Sequence, residues 1–269
     1  MLAIYLPQPD DALLAALSFQ RDQEFRVYVP ADSPLVTEYQ NTLYIIEGNF
    51  QQVTEPLVCI LEHGTLPERE FVHRIGQGAE RYPACPVYHL SLEGGKDFPK
   101  LCTTDQFFRL TVAEGTPAPL SRFVFRTEVL RQHALFKADG SLNVIPTVLN
   151  CLQEEGQMGG IARFKLNWSA PAVSKDPLSQ EKRIREKLEL LHWSEEFFGD
   201  DNYPFSVGGQ LQLFANEVAR LYPAHPESEL KELMNSFQVC HGGAFRNFRA
   251  SRALKRAVRT RQNALDILG

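Results

Sequence analysis

The feature that most constrains the fold of this chain is the apolar run at residues 57–61, which a polar loop follows directly. None of its five residues is polar, so neither face of the predicted strand carries a polar side chain. This is typical of a strand at the centre of a parallel sheet, where both faces are covered. The chain then turns polar at Glu62, His63 and Gly64. Ligands of open α/β sheets bind outside the carboxyl ends of the strands, so this loop is the first candidate for a functional site.

Patterns typical of strands and helices alternate through the first part of the chain. Residues 2–6 are apolar and end at Pro7, and Phe25–Val29 alternates before a turn that begins at Pro30. Further strands are predicted at residues 43–46, 87–92 and 106–112, and helices at residues 11–17 and from Pro67. The alternation predicts an α/β fold whose doubly wound, mainly parallel sheet is flanked by helices.

Helical patterns dominate the second half of the chain. One apolar helical face is predicted across residues 120–134 and another over Val144–Leu152, followed by a strand at 161–166. Further helices are predicted at residues 176–192, 211–222 and 226–237. We therefore predict an α/β domain at residues 1–175 and a helical C-terminal region at residues 176–269 that packs on it.

Composition narrows the classes of function. A formal net charge of −5 over 269 residues argues against general nucleic-acid binding. No run reaches the roughly 18 to 20 apolar residues that span a bilayer. The first residues read as a strand and lack the basic start of a signal peptide, so a cytoplasmic location is expected. The five cysteines have no metal-ligand spacing and are best explained as small buried residues.

A segment near the C-terminus is strongly basic, although the chain as a whole has a negative net charge. Residues 245–261 carry seven Lys and Arg side chains and no acid, interleaved with Phe and Leu. A basic amphipathic helix of this kind binds an anionic membrane surface, or packs on its own domain with its charges in solvent. The first alternative predicts peripheral binding at the inner face of the membrane. The sequence sets no oligomeric state.

Several segments resemble family 2 glycosyltransferases. Residues 61–67 read Leu-Glu-His-Gly-Thr-Leu-Pro, which is similar to the Leu-Asp-x-Asp-Thr-x-Pro pattern of that family. Residues 4–7 and 25–33 resemble its first two strands with their loops, and residues 121–136 resemble the segment that precedes its acceptor site. The resemblance spans roughly residues 2–192 and rests on element order and short motifs. It implies a GT-A-like fold and a nucleotide-sugar donor.

The resemblance assigns donor and metal positions to particular residues. Pro7, Asp32, Glu62 and His63 are the candidates for binding the donor, although Pro30 and Ala31 occupy the place of the family's base-binding Asp and Asp32 follows one or two positions later. Glu62 and His63 replace the motif that holds a divalent cation, Mn²⁺ or Mg²⁺, and Gly64 has replaced its second carboxylate. Hard cations prefer oxygen ligands and imidazole suits zinc better, so the ordinary metal site is degenerate here. Glu62 and His63 could equally be solvated loop residues.

The acceptor side of the resemblance rests on three residues. Arg122 and Arg126 are the candidates for binding an acceptor or a phosphate, because a guanidinium matches phosphate oxygens with two hydrogen bonds. Asp139 is the carboxylate nearest to the family's general base, which takes the proton of the acceptor hydroxyl. Surface ion pairs would explain the two arginines as well. Turn chemistry alone would explain an Asp before Gly140.

Two classes of function remain open at this point. The first is a glycosyltransferase that transfers a sugar from a nucleotide-sugar to a cell-envelope or other glycan. The second is a catalytically silent relative that acts as a binding or partner subunit. The missing carboxylates give weight to the second class, because activity follows from the site and not from the fold.

Overall fold

The structure of this chain, a computed structural model, describes mainly the first unit of the protein. The described residues are 1–31, 33, 36–113, 115–137, 139–153, 156–168, 182, 186, 189, 190, 193, 194 and 196–199. The chain divides into two compact units, Met1–Ala170 and Pro171–Gly269. The helices predicted beyond residue 175 and the basic segment 245–261 lie wholly or mostly outside the described residues. The predicted domain boundary after residue 175 stays a prediction.

The first unit alternates strands and helices along the chain. The strands are β1 (Leu2–Tyr5), β2 (Phe25–Val29), β3 (Ile45–Glu47), β4 (Leu57–Ile60), β5 (Thr65–Leu66), β6 (Val87–Leu92), β7 (Leu101–Thr103), β8 (Phe123–Arg126) and β9 (Gln157–Trp168). The helices are α1 (Asp11–Ser18), α2 (Val36–Tyr39), α3 (Phe71–Arg81), α4 (Thr104–Phe108), α5 (Thr127–His133) and α6 (Val144–Leu152). The unit also contains short 3₁₀ turns at Phe50–Gln52 and Leu120–Arg122.

These strands form one mixed sheet. Within the described residues its order is β3-β2-β1-β4-β8-β6-β9-β5, and β7 also pairs with β9. β1, β2, β3, β4, β6 and β9 run in one direction, while β5, β7 and β8 run in the other. The predicted α/β fold with a mainly parallel sheet flanked by helices is confirmed. β4 lies between β1 and β8, so its predicted central position is also confirmed.

The sheet buries both of its faces. α1 and α3 cover one face, where Leu13 and Ile75 pack with Leu2 and Ile4 of β1. Neighbouring side chains of a strand point to opposite faces, so Ala3 and Tyr5 belong to the second face. Phe107 of α4 packs edge-on against Phe123 on this second face, with the ring centroids 5.8 Å apart. Each fully buried Phe contributes about 1.5 to 3 kcal/mol to folding, so both faces stabilise the sheet.

The strand predicted at residues 106–112 is wrong, because this segment is helical. Thr103 caps α4 through its hydroxyl oxygen, which accepts a hydrogen bond from the amide of Gln106. The side chain of Gln106 accepts in turn from the amide of Thr103. This reciprocal capping box, together with the burial of Phe107 and Phe108, favours a helix over the apparent strand pattern.

Two helix predictions also need correction. The continuous helix predicted at residues 120–134 is replaced by strand β8 followed by helix α5. Phe123 and Phe125 are aromatic residues that suit a pleated, buried surface, and β8 fills the place between β4 and β6. The helix predicted from Pro67 begins instead at Phe71, because Thr65–Leu66 first pairs with the end of β9.

Membrane-spanning helices are not found in the described part of the chain. No helix there has both the length and the apolar composition needed to cross a bilayer.

Candidate functional site

The loops that follow the parallel strands meet at the carboxyl edge of the sheet. Pro7 comes shortly after β1, and Glu62 shortly after β4. The hydrogen bond from the amide of Leu61 to the carbonyl of Tyr5, at 3.0 Å, extends the pairing of the two strands to this edge. β8 is antiparallel to β4, so its first residues lie at the same edge. The structure therefore brings Pro7, Glu62 and the start of β8 together.

Glu62 is held in place by Ser121, which precedes β8. The amide of Glu62 donates a hydrogen bond of 2.7 Å to the hydroxyl oxygen of Ser121. The carboxylate oxygen Oε2 of Glu62 accepts from the amide of Ser121 at 3.3 Å and lies 3.4 Å from its hydroxyl. Thr65 adds a third contact, with 3.0 Å between its hydroxyl oxygen and that of Ser121. Ser121 and Thr65 are fully buried while Glu62 is half-buried, so a buried hydroxyl pair supports a carboxylate that reaches solvent.

The loop from Glu62 to Thr65 is a tight turn. The amide of Thr65 donates to the carbonyl of Glu62 at 3.2 Å, and Gly64 adopts a φ of 79°. Only glycine takes this left-handed conformation without strain, so Gly64 fits the turn even though it cannot bind a metal through a side chain. Gly64 therefore has a conformational role in this turn.

His63 lies beside the loop that follows β1. Its Nδ1 atom is 2.8 Å from an oxygen of Asp10, whose other oxygen caps α1 by accepting from the amide of Leu13 at 2.8 Å. The side chain of His63 is 68% exposed. The contact ties the loop after β1 to the loop after β4, and a pair this exposed contributes little to stability.

The donor set at this edge does not fit a metal centre built by the described residues. Glu62 supplies one carboxylate, and Nδ1 of His63 is already engaged with Asp10. Among the described residues no group of three His, Cys, Asp or Glu side chains is arranged to hold a metal ion. The predicted roles of Glu62 and His63 as metal ligands stay predictions, and no chemical step below depends on a metal.

Arg122 is committed to the interior of the protein. Its guanidinium donates to the carbonyl groups of Leu90, Pro117 and Lys96 at distances of 2.6 to 3.0 Å. It also stacks on the ring of Phe98, 4.0 Å from the centroid. The side chain is 0% exposed, and burial lowers the pKa of Arg122 to about 10. These contacts anchor the start of β8 next to Ser121 and leave no face of the guanidinium toward solvent.

Arg126 lies at the opposite edge of the sheet from Glu62. It ends the four-residue strand β8 and pairs with Leu57, the first residue of β4. Its guanidinium donates to the carbonyl groups of Cys85 and Pro83. A strand advances about 3.4 Å per residue, so Arg126 is roughly 10 Å from the start of β8. The structure does not bring the two arginines together with Glu62. Their predicted role in binding an acceptor or a phosphate stays a prediction.

Asp139 stands on a second loop, which we call the Phe136 hairpin (residues 135–137 and 139–143). Phe136 and Leu142 pair across its base, and the amide of Asn143 donates to the carbonyl of Leu135 at 2.8 Å. The carboxylate of Asp139 accepts from the amide and the hydroxyl of Ser141 at 2.9 and 2.6 Å. Turn chemistry therefore does account for the geometry of Asp139, and its side chain is exposed at the same time.

Three aromatic rings connect the Phe136 hairpin to the end of β1. The ring of Phe136 stacks on that of Phe50 at 5.7 Å with an interplanar angle of 30°. Phe50 lies 6.3 Å from Tyr5, the last residue of β1. Burial raises the pKa of Tyr5 above its usual value. This row, which we call the aromatic row (Tyr5, Phe50, Phe136), brings the hairpin of Asp139 to the same edge of the sheet as Glu62.

Sequence reasoning missed Ser121, Thr65 and the aromatic row. Ser121 lies within the segment 120–134, whose apolar spacing predicted a helix, so the sequence did not place it at the end of β4. Phe50 and Phe136 come from separate loops, and no local pattern predicts their contact. Asp32, one of the predicted donor-binding residues, lies outside the described residues.

Comparisons with known proteins show the fold. No family model matches the chain, and no curated protein matches it by sequence. The chain is similar to the crystal structure of S. aureus TarS 1-349, with a TM-score of 0.52, 14% identity, and 100% of this chain and 92% of that chain covered. The same TarS fragment in complex with UDP-GlcNAc gives a TM-score of 0.52 and 14% identity, with 98% and 91% covered. The chain thus has an α/β, GT-A-like fold of the kind found in glycosyltransferase structures.

Proposed function

We propose that this protein is a nucleotide-sugar glycosyltransferase, related to family 2, whose donor binds at the carboxyl edge of β1 and β4. The observation that carries the proposal is the carboxylate of Glu62, which Ser121 holds at the end of a central strand. In an α/β sheet this is the place where ligands bind. Support comes from the similarity in fold to TarS, which has been crystallised in complex with UDP-GlcNAc.

Glu62 is best suited to bind hydroxyl groups of the donor. A carboxylate repels a diphosphate unless a cation lies between them, and among the described residues no group of three His, Cys, Asp or Glu side chains is arranged to hold one. Sugar hydroxyls donate hydrogen bonds, and a carboxylate accepts them strongly. Oε2 of Glu62 is directed toward Ser121, and Oε1 has no hydrogen bond within the described residues. Glu62 therefore recognises the sugar or the ribose of the donor.

Asp139 is the group proposed to activate the acceptor. Its carboxylate takes the proton of an acceptor hydroxyl while that oxygen bonds to the anomeric carbon of the donor sugar. The bond from the anomeric carbon to the phosphate oxygen breaks, and the nucleoside diphosphate leaves with the electron pair. The Phe136 hairpin holds Asp139 next to the aromatic row, at the same edge as Glu62. The acceptor proposed from the sequence is a cell-envelope or other glycan.

The alternative is a catalytically silent relative that binds a ligand or a partner on the same scaffold. It is favoured by Gly64, which completes the turn after Glu62 and replaces a carboxylate. Both alternatives keep the fold, so they are distinguished by chemistry alone.

Titration calorimetry with UDP, UDP-GlcNAc and GDP-mannose, each with Mn²⁺ and with a chelator, tests the proposal. We expect one nucleotide-sugar to bind and to release its nucleoside diphosphate slowly, even to water. Binding without any release over a day would favour the silent relative. No binding of any of the three ligands, with or without Mn²⁺, would contradict the proposed donor site. Tenfold tighter binding with Mn²⁺ that Glu62→Ala removes would show that Glu62 does hold a metal.

A cytoplasmic location with residues 245–261 at an anionic membrane surface remains a prediction. Sedimentation with anionic vesicles should show binding that falls with added salt, because exposed charges are screened over about 8 to 10 Å at physiological ionic strength. Replacing Arg249, Arg252, Arg256 and Arg259 with Gln should abolish it. Binding that survives these replacements would contradict the prediction.

A further inference from the structure

We infer that the Phe136 hairpin is a platform for a neutral sugar ring of the acceptor, with the ring of Phe136 as its floor and Asp139 as its polar rim. This inference names a substrate class for the site above and so rests on the proposed function. It begins from an exposed aromatic ring at the same edge of the sheet as Glu62. Phe136 is 46% exposed, although its ring already stacks on Phe50.

The hairpin is tied together by backbone hydrogen bonds and tied to α6 and Phe50 by further contacts, as suits a preformed binding surface. Besides the pairing of Phe136 with Leu142, the amide of Lys137 donates to the carbonyl of Ser141 at 2.8 Å. The amide of Leu135 donates to the hydroxyl of Thr147, a buried residue of α6, at 3.0 Å. The stack on Phe50 fixes the plane of the ring from below. A ring held in this way loses little conformational freedom when a ligand covers it.

The position of the platform follows from the sheet. Tyr5 pairs with Ile60, so the two side chains lie on one face of the sheet, and Glu62 follows Ile60 by two residues, just beyond the end of β4. Phe50 and Phe136 extend outward from Tyr5. The aromatic row therefore runs from the end of β1, next to Glu62, to the hairpin that carries Asp139. A sugar on the platform would lie beside Asp139, at the edge of the sheet that also carries Glu62.

The chemistry of the hairpin favours a neutral sugar over the nucleotide. A pyranose has an apolar face of C–H groups that packs on an aromatic ring, and its hydroxyl groups donate hydrogen bonds to a carboxylate at the rim. The hairpin carries one basic side chain, Lys137, and one acidic side chain, Asp139. Their charges cancel, so the hairpin offers no surplus positive charge that would attract a diphosphate.

Fluorescence titration of two tryptophan variants tests the platform directly. Phe136→Trp keeps an aromatic floor and adds a reporter, and Phe19→Trp is the matched control. Phe19 is 74% exposed at the end of α1, which packs on the other face of the sheet. The probes are cellotetraose, chitotetraose and maltotetraose, with sorbitol as a polyol without a ring. We expect at least one tetrasaccharide, and not sorbitol, to change the emission of Phe136→Trp in a saturable manner, and none to change that of Phe19→Trp.

Affinities from saturation-transfer NMR then assign the effect to the ring. Relative to wild type, Phe136→Leu should weaken tetrasaccharide binding by about three- to tenfold, the contribution typical of one aromatic contact. Its affinity for UDP and UDP-GlcNAc should stay within twofold. Phe19→Leu should leave both affinities unchanged.

The outcomes separate this inference from the proposed function. If none of the three tetrasaccharides binds while a nucleotide-sugar does, the platform is wrong and the proposed function stands. If Phe136→Leu weakens UDP binding instead, the ring holds a nucleobase and the inference is overturned. If a tetrasaccharide binds through Phe136 and no nucleotide binds at all, the platform stands as a glycan-binding surface and the proposed function fails.

Discussion

A glutamate flanks each end of strand β4, and the two side chains differ in burial and in the number of their hydrogen bonds. Glu55 precedes the strand and is 1% exposed, and both of its carboxylate oxygens are occupied. One accepts from Arg26 at 2.9 Å, and the other accepts from the hydroxyl of Tyr28 at 2.9 Å and from the amide of Thr54 at 3.1 Å. Glu62 follows the strand and is half-buried. Its carboxylate meets Ser121 through Oε2 only, at distances of 3.3 and 3.4 Å.

The difference between Glu55 and Glu62 indicates which end of β4 can still bind a ligand. A buried carboxylate needs several hydrogen bonds, because desolvation is costly. Glu55 has them, and its role is to stabilise the amino edge of the sheet. Glu62 is positioned by a buried hydroxyl and still reaches solvent. Arg122 and Arg126, the two arginines predicted to bind phosphate, resemble Glu55 in this respect, because backbone carbonyl groups take up their donors.

The largest effect is expected at Asp139, the exposed carboxylate of the hairpin. Asp139→Asn keeps the size of the side chain and a hydrogen-bond acceptor for Ser141, but it removes the base. Release of the nucleoside diphosphate should fall by about 10² to 10⁴ while donor affinity stays within twofold. A stopped assay of nucleotide release measures the rate, and calorimetry measures the affinity. A rate within fivefold of wild type would remove Asp139 from the mechanism.

Replacing the buried glutamate should affect stability instead of binding. Glu55→Ala leaves the hydroxyl of Tyr28 and the amide of Thr54 without their partner, so the free energy of unfolding should fall by about 2 to 4 kcal/mol. Urea denaturation measures this change. Glu62→Ala, measured in the same way, should change it by less than about 1 kcal/mol. Equal decreases in the free energy of unfolding of the two variants would contradict the assignment of different roles to Glu55 and Glu62.

Ser121 is expected to act through Glu62. Ser121→Ala removes the acceptor of the Glu62 amide, and we expect donor affinity to fall by about three- to tenfold with a loss of about 1 to 2 kcal/mol in stability. Thr65→Val is the matched control, because it removes a contact to Ser121 but none to Glu62. Its stability should fall while donor affinity stays within twofold. Equal losses of affinity in both variants would mean that general loosening of the loop is responsible.

The smallest effect is expected at His63. His63→Gln breaks the exposed contact with Asp10, and exposed pairs of this kind contribute about 0 to 1 kcal/mol. Donor affinity should stay within threefold, both with Mn²⁺ and with a chelator. A loss of tenfold or more would show that His63 does bind the donor or a metal, as the sequence resemblance implies.

The sequence predicts the part of the site that depends on one strand. An apolar run covered on both faces identifies β4, and Glu62 follows it, so the location of Glu62 at the carboxyl edge is predictable. The environment of Glu62 is not predictable in this way, because it is made by β8. Leu120, Phe123 and Val124 have helical spacing, but Phe123 and Val124 form a strand because β8 pairs with both β4 and β6.

The arginines illustrate a second limit of sequence reasoning. Arg122 and Arg126 stand four residues apart in a segment that predicted one helical face, which would have placed them together. In the structure Arg122 ends the turn before β8 and Arg126 ends β8, so the two arginines lie at opposite ends of this strand. Which donors a guanidinium uses inside the protein depends on carbonyl groups far away in the sequence, such as Leu90 and Cys85. No local pattern contains that information.

The central claim, that Glu62 recognises a hydroxyl group of the donor, is tested most directly by comparing UDP-GlcNAc with UDP. Calorimetry on wild type, Glu62→Ala and the exposed control Glu80→Ala of α3 gives the affinities. We predict that Glu62→Ala weakens UDP-GlcNAc binding by about tenfold to a hundredfold, the value of a charge-assisted hydrogen bond, and that Glu80→Ala changes nothing. In Glu62→Ala the affinity for UDP should fall less than that for UDP-GlcNAc if Glu62 binds the sugar. The two affinities should fall equally if Glu62 binds the ribose that both ligands share. Unchanged affinity of Glu62→Ala for both ligands would contradict the account.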